Sequence, residues 1–137
     1  MSLVEDMKSV LLIYGFTTPI VLGRMPDLPD TVLMLREYEA GRNRDFTAKN
    51  LPVFESLAAQ MWIRVGKDHG IRSAELIAVS AYRMLSGRHI RINGNSYDRW
   101  IASFSPTHLF TDELDRPIVG TNWSAQRWGD VSIPSPP

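Results

Sequence analysis

Phe54–Gly87 reads FESLAAQMWIRVGKDHGIRSAELIAVSAYRMLSG, and two hydrophobic periods meet in it. In the first half Leu57, Ala59, Met61, Ile63 and Val65 alternate with Ala58, Gln60, Trp62 and Arg64, the period of a strand whose side chains point to opposite faces. Gly66–Gly70 interrupts that period. A helical spacing follows, with Ile71, Ala74, Ala78, Ala81, Tyr82 and Leu85 on one stripe and Gly87 at the position just past a helix end. The stretch therefore predicts a central strand feeding a helix that folds back onto the sheet.

Working outward, Ser2-Leu3-Val4-Glu5 matches a capping box, and Val4, Met7, Leu11 and Tyr14 form an apolar stripe. A helix is predicted from about residue 3 to residue 13, ending near Gly15. Strands are expected over Thr18–Leu22 and Thr31–Glu39, joined by a segment whose prolines Pro26 and Pro29 forbid a regular ladder. Ala40–Glu55 is a long polar connection, either a solvated hairpin loop or an arm that orders against a neighbouring subunit. Beyond the central helix, Asn93-Gly94 predicts a tight hairpin turn between Arg88–Ile92 and Asn95–Phe104. In the return strand Trp100, Ala102 and Phe104 are expected on one face, with Tyr97, Arg99 and Ile101 on the other. Ser105–Arg116 reads as a loop, and Ile118–Trp128, opened by Pro117, as the last strand with Val119, Thr121, Trp123 and Ala125 on one side. Together these predict an α+β fold, a mixed and mainly antiparallel sheet with two helices packed on it. Residues 1–128 are expected to form one domain and residues 129–137 a Pro-rich C-terminal tail.

Composition narrows the function. The 137 residues carry fifteen basic and fifteen acidic side chains, whereas a tight general nucleic-acid binder usually carries a positive excess. There is no cysteine, so thiolate metal sites, disulfides and cysteine nucleophiles are excluded. That composition suits a reducing compartment. No apolar run reaches the length of a membrane span, and Glu5 and Asp6 argue against a signal peptide. His69, His89 and His108 have no metal-ligand spacing, and no phosphate-binding loop or nucleophile elbow occurs. Asp112, Glu113 and Asp115 could do acid–base work with His108 in a small hydrolase or nuclease, but their spacing in a Pro-bounded loop reads as a solvated turn. Arg42, Arg44 and Lys49 form a basic cluster in the long loop, open to phosphate contact or simple solvation. Trp62 lies off the main face of its strand, and Leu76 and Val79 lie off the main stripe of the helix. With the basic cluster they are the candidate subunit or partner contacts, although a covered second sheet face would explain Trp62 equally well.

In order and spacing the chain resembles the minor capsid or tail-terminator family of long-tailed phages and prophages, also found in phage-like gene transfer particles. The segments that carry the resemblance are LGRMPDLPDTVLMLREY, LPVFESLAAQMWIRVGKD, the helix ending MLSG, and NGNSYDRWIASFSPTHLFTDELDRPIVGTNWSAQRW. Within them stand Glu37-Tyr38 at a strand end, then Pro52, Glu55, Gln60 and Arg64, then Asp112, Arg116 and Pro117 before the final strand. The chain departs from the family in the long loop, where AGRNRDFTAKN replaces glycine-rich sequence. The resemblance implies a structural virion protein assembled in the bacterial cytoplasm, without catalysis, metal or cofactor. It implies a homo-hexameric ring that caps the tail tube, joins tail to head and passes DNA through its lumen without reading its sequence. Tail-tube protein and a head-completion or connector protein would be its partners. A head-completion adaptor docking on the portal is the alternative within the same machinery.

Overall fold

The computed structural model describes residues 2–38, 43–45, 54–87 and 89–128. The fold is α+β. Helix α1 (Leu3–Ile13) is followed by β1 (Ile20–Leu22), β2 (Val32–Glu37), β3 (Asn43–Asp45) and β4 (Phe54–Arg64). Then come α2 (Ile71–Leu85), β5 (Ile90–Ile92), β6 (Asn95–Ala102), β7 (Thr107–Thr111) and β8 (Pro117–Trp128).

The predicted central strand is central. β4 runs antiparallel to β8 along its whole length, from Phe54 opposite Trp128 to Arg64 opposite Ile118. Shorter strands divide the outer edges of this pair into two levels. At one level the order is β1-β2-β4-β8-β7, because β2 pairs with β4 over Glu37–Ala59 to Val32–Arg64 and β7 pairs with the first residues of β8. At the other level the order is β3-β4-β8-β6-β5. All neighbours are antiparallel except β1 and β2.

Both helices cover one face. Leu57, Ala59, Met61, Ile63 and Val65 of the alternating stretch meet Ala74, Ala78, Ala81 and Leu85 of α2 and Leu3, Met7, Val10 and Leu11 of α1. The small side chains of the α2 stripe let its backbone approach the sheet, where Trp100 and Trp123 fill the remaining space. Ile71 and Tyr82 fall outside this stripe: they are 39% and 43% exposed, and Tyr82 instead lies with its ring 5.8 Å from that of Trp123.

Both ends of α1 are capped by hydrogen bonds. Ser2 Oγ accepts from Glu5 N, and Glu5 accepts from Ser2 N, the capping box read from the sequence. Glu37 of β2 takes the two amides between them, from Leu3 at 2.6 Å and Val4 at 3.4 Å. At the other end Gly15 N donates to Leu12 O and Phe16 N to Leu11 O, a reversal that needs the positive φ of Gly15. The Asn93-Gly94 turn has φ of +52° and +80°, as a type I′ hairpin requires.

Three expectations change. Ser105–Arg116 is not all loop, since Thr107–Thr111 forms β7. Tyr97 shares the core face with Trp100, because a bulge between them shifts the alternation of β6, which ends at Ala102 and leaves Phe104 outside the strand. The first two strands are shorter than expected, ending the ladder at Ile20 and Glu37. Within the long polar connection, Asn43–Asp45 pairs with Phe54–Ser56 as a hairpin, while residues 39–42 and 46–53, and the tail at 129–137, lie outside the described residues.

Candidate interaction surface

Among the described residues, the second sheet face is packed against Leu109 and Phe110 at one level and opens into a hollow at the other. At the β7 level Val32, Met34 and Ile118 are buried, and β7 pairs beside Ile118 at the start of β8. Phe110 meets the Trp62 ring edge-on at 5.6 Å, and the Arg36 guanidinium lies 5.8 Å from the centre of the same ring. Gly120 makes room for this layer, since a Cβ there would stand 2.6 Å from Leu109 and 2.9 Å from Trp62. Trp62 is thus half-buried, with part of its ring covered by its own chain. At the other level Tyr38, Ser56, Ala58, Ile101, Ser124 and Gln126 border an open hollow of about 360 Å³.

Two arginines lock the rim of the covered level. Arg64, at the end of β4 and only 2% exposed, donates to four backbone carbonyls of the proline-bearing loop after β1: Pro26 at 2.6 Å, Pro29 at 2.7 Å, Asp30 at 2.9 Å and Asp27 at 3.2 Å. Five guanidinium donors in a fixed fork suit a loop that turns too tightly to satisfy its own carbonyls. Arg116, just before β8, donates to Asp112 at 2.9 Å, to the Asp30 carboxylate at 3.0 Å and to Asp27 O at 2.7 Å. The loop after β1 and the turn after β7 are therefore tied to one another through the ends of β4 and β8. Desolvation works against the Asp112 charge, but the Arg116 and Leu114 amides and the Arg116 side chain outweigh it and hold this carboxyl below its usual range.

A third polar cluster pins α1 to the β5–β6 hairpin. The Asp6 carboxylate, fully buried, accepts from Asn93 Nδ2 and Asn95 Nδ2 at 2.7 Å and from the Tyr97 hydroxyl. Burial, then the bond to Asp6, pushes the Tyr97 hydroxyl well above the ordinary tyrosine range.

The residues singled out from the sequence do not form one patch. Trp62 is on the sheet face away from the helices. Leu76 is 56% exposed beside the turn after α1, next to Gly15 and Phe16. Val79 borders a separate apolar groove of about 580 Å³ with Tyr82, Arg83, Phe104 and Pro106. Arg44 stands in β3 opposite Glu55, and Arg42 and Lys49 lie outside the described residues. Asp112 and Asp115 shape a turn, with Asp115 at φ +60°. His108 meets Thr111, and His89 lies 3.4 Å from Asp98. Among the described residues no His, Asp and Glu side chains converge as a metal site, and no helix is long and apolar enough to cross a membrane. The sequence reading missed the carbonyl clamp, although Arg64, Asp112 and Arg116 were all in the pattern of the resemblance. The usable signal was the proline-rich loop, which must find donors for its carbonyls elsewhere.

No family model and no curated protein matches the sequence. Among solved structures the fold is similar to that of a chain in the virion of a native gene transfer agent (GTA) particle. The TM-score is 0.65 at 12% identity, over 93% of this chain and 96% of that one. Identity at that level speaks for the fold alone.

Proposed function

We propose that this chain is a structural protein of a phage-like virion, acting as a tail terminator: six copies close into a ring that caps the tail tube and joins the tail to the head. The observation that carries this reading is the end-to-end likeness to a chain of a gene transfer agent virion. A match over nearly the whole of both chains leaves little room for a different module grafted onto a common core. The order and spacing of the tail-terminator pattern, from Glu37-Tyr38 to Asp112, Arg116 and Pro117, supports the same reading. So does the net charge of zero, because a conduit that gripped DNA by many phosphates would hold it against sliding. The chain acts by shape, without a cofactor, with tail-tube protein below and a connector above.

Light scattering and negative-stain microscopy of the purified protein test this. The expected result is monomers at low concentration, and rings with a central hole at high concentration or on the ends of added tail tubes. A tight dimer at every concentration contradicts the ring. Retention on tail-less heads without binding to tube ends contradicts the terminator in favour of a head-completion adaptor.

A further inference from the structure

Among the described residues, the sheet at the covered level ends in two strands paired on one side only, β7 at one edge and β1 at the other. Neither strand contains a proline or a charged Lys, Arg, Asp or Glu: one reads IVL and the other THLFT. Edge strands left without such residues are templates for pairing with another chain. All five residues of β7 are exposed, with Leu109 and Phe110 at 42% and 43%, and Leu22 of β1 is 38% exposed.

We infer that β7 of one copy pairs with β1 of the next, and that this seam is the subunit contact of the ring. The inference rests on the ring reading above. Three features of the chain select this pairing from the other edge combinations. First, β1 and the start of β7 lie at the same level: β1 pairs with Leu33–Leu35, which faces Met61–Ile63, which faces Val119–Thr121, and Val119 and Gly120 pair with His108 and Thr107 of β7. A head-to-tail contact closes into a ring only if it carries no rise along the axis, and edges at one level meet that condition when the axis follows the strands. Secondly, the strand directions fit. β1 runs with β2 against β4, while β7 runs against β8 and so with β4, so β1 and a neighbour's β7 meet antiparallel. Thirdly, both edges are held in one rigid frame. Arg64 and Arg116 bind the loop that follows β1, and Arg116 also binds Asp112, which follows β7. By these pairings Ile20 stands level with His108 and Val21 with Thr107, and Leu109 follows next along β7, so the seam is a short ladder of backbone-paired strands with an apolar β1 side. Three residues of β1 make a short ladder, so each seam is weak alone and the closed ring gains from every copy being held twice.

The chain's lack of cysteine makes the test direct. Val21→Cys is combined in turn with Thr107→Cys, His108→Cys and Leu109→Cys, centred on the level of Val21 and allowing for register. Within one copy β1 and β7 are four inter-strand steps apart. That is about 19 Å measured along the sheet, against the roughly 7 Å limit for a disulfide, and only bonds between copies give multimers. Oxidation at ring-forming concentration is expected to give, for at least one pair, a ladder of covalent multimers ending at the hexamer. Each single variant should stop at dimers, and Val21→Cys with Arg91→Cys, which places the second thiol on the β5 edge at the other level, should give no ladder. Rings in the microscope without a ladder from any of the three pairs would overturn this seam and leave the ring standing. Monomers by light scattering at every concentration, with no ladder, would overturn both.

Discussion

Arg64→Met removes the clamp while keeping an unbranched apolar stem in the same space, so its effect isolates the hydrogen bonds. In the native protein the guanidinium is 2% exposed and serves four carbonyls at 2.6–3.2 Å. A hydrogen bond from a charged donor contributes about 1.5–3 kcal/mol, but carbonyls of exposed loop residues regain water once the donor is gone. Discounting the four bonds for that rehydration leaves a loss of about 3–4 kcal/mol. At a urea slope of about 1.5–2 kcal/mol/M this lowers the unfolding midpoint by roughly 2 M at unchanged slope. At about 3–4 °C per kcal/mol it lowers Tm by roughly 10–15 °C. Arg64→Lys, with one compact ammonium for a fork of five donors, should lose about half as much. Equilibrium urea unfolding followed by tryptophan fluorescence reads both variants. A loss below about 1 kcal/mol for Arg64→Met would refute the view that this side chain holds the loop after β1.

Asp6→Ala removes the buried acceptor shared by the Tyr97 hydroxyl and the Asn93 and Asn95 amides, and should cost about 2–3 kcal/mol in the same unfolding assay, most of it from the buried Tyr97 hydroxyl. Gly120→Ala places a methyl 2.6 Å from Leu109 and 2.9 Å from Trp62. It should cost about 1–3 kcal/mol and alter Trp62 emission as β7 is lifted. Asp112 titrates below its usual value in the folded chain, so its contribution is complete above the unfolded pKa of about 3.8 and fades as pH falls toward the folded one. The stability gap between the native protein and Asp112→Asn should therefore be constant from neutral pH to about pH 5 and narrow on further acidification. Deleting Ala40–Asn50 should leave cooperative unfolding intact and abolish tail capping in an add-back assay; capping by the shortened protein would reduce that segment to a linker.

The elements legible in the sequence were those whose local signals agreed with their burial. The alternation at Leu57–Val65, the capping box at Ser2–Glu5 and the Asn93-Gly94 turn each specify one local geometry, and the structure uses each as read. β7 was missed because its five residues are exposed on both faces, so THLFT carries no burial period, and flanking proline and aspartate read as loop. Tyr97 was placed on the wrong face because a bulge breaks strict alternation without changing residue type. Tyr82 matched the helical stripe, yet α2 turns only its small residues and Leu85 fully inward, so an aromatic at the stripe's edge stays half outside. Of the surface, sequence could mark Leu76 and Trp62 as apolar side chains off their main faces. It could not say that Phe110, some fifty residues away in the chain, covers one of them. The carbonyl clamp was missed because its acceptors are backbone atoms: the prolines marked a loop in need of donors, but not which distant side chain supplies them.

The most direct measurement is microscopy of particles made by a strain that lacks this chain and of the same strain supplied with it. A terminator account predicts tail tubes of uncontrolled length, separate from DNA-filled heads, and tails of one length joined to heads when the protein is restored. Tubes of normal length, properly attached, in its absence would contradict it.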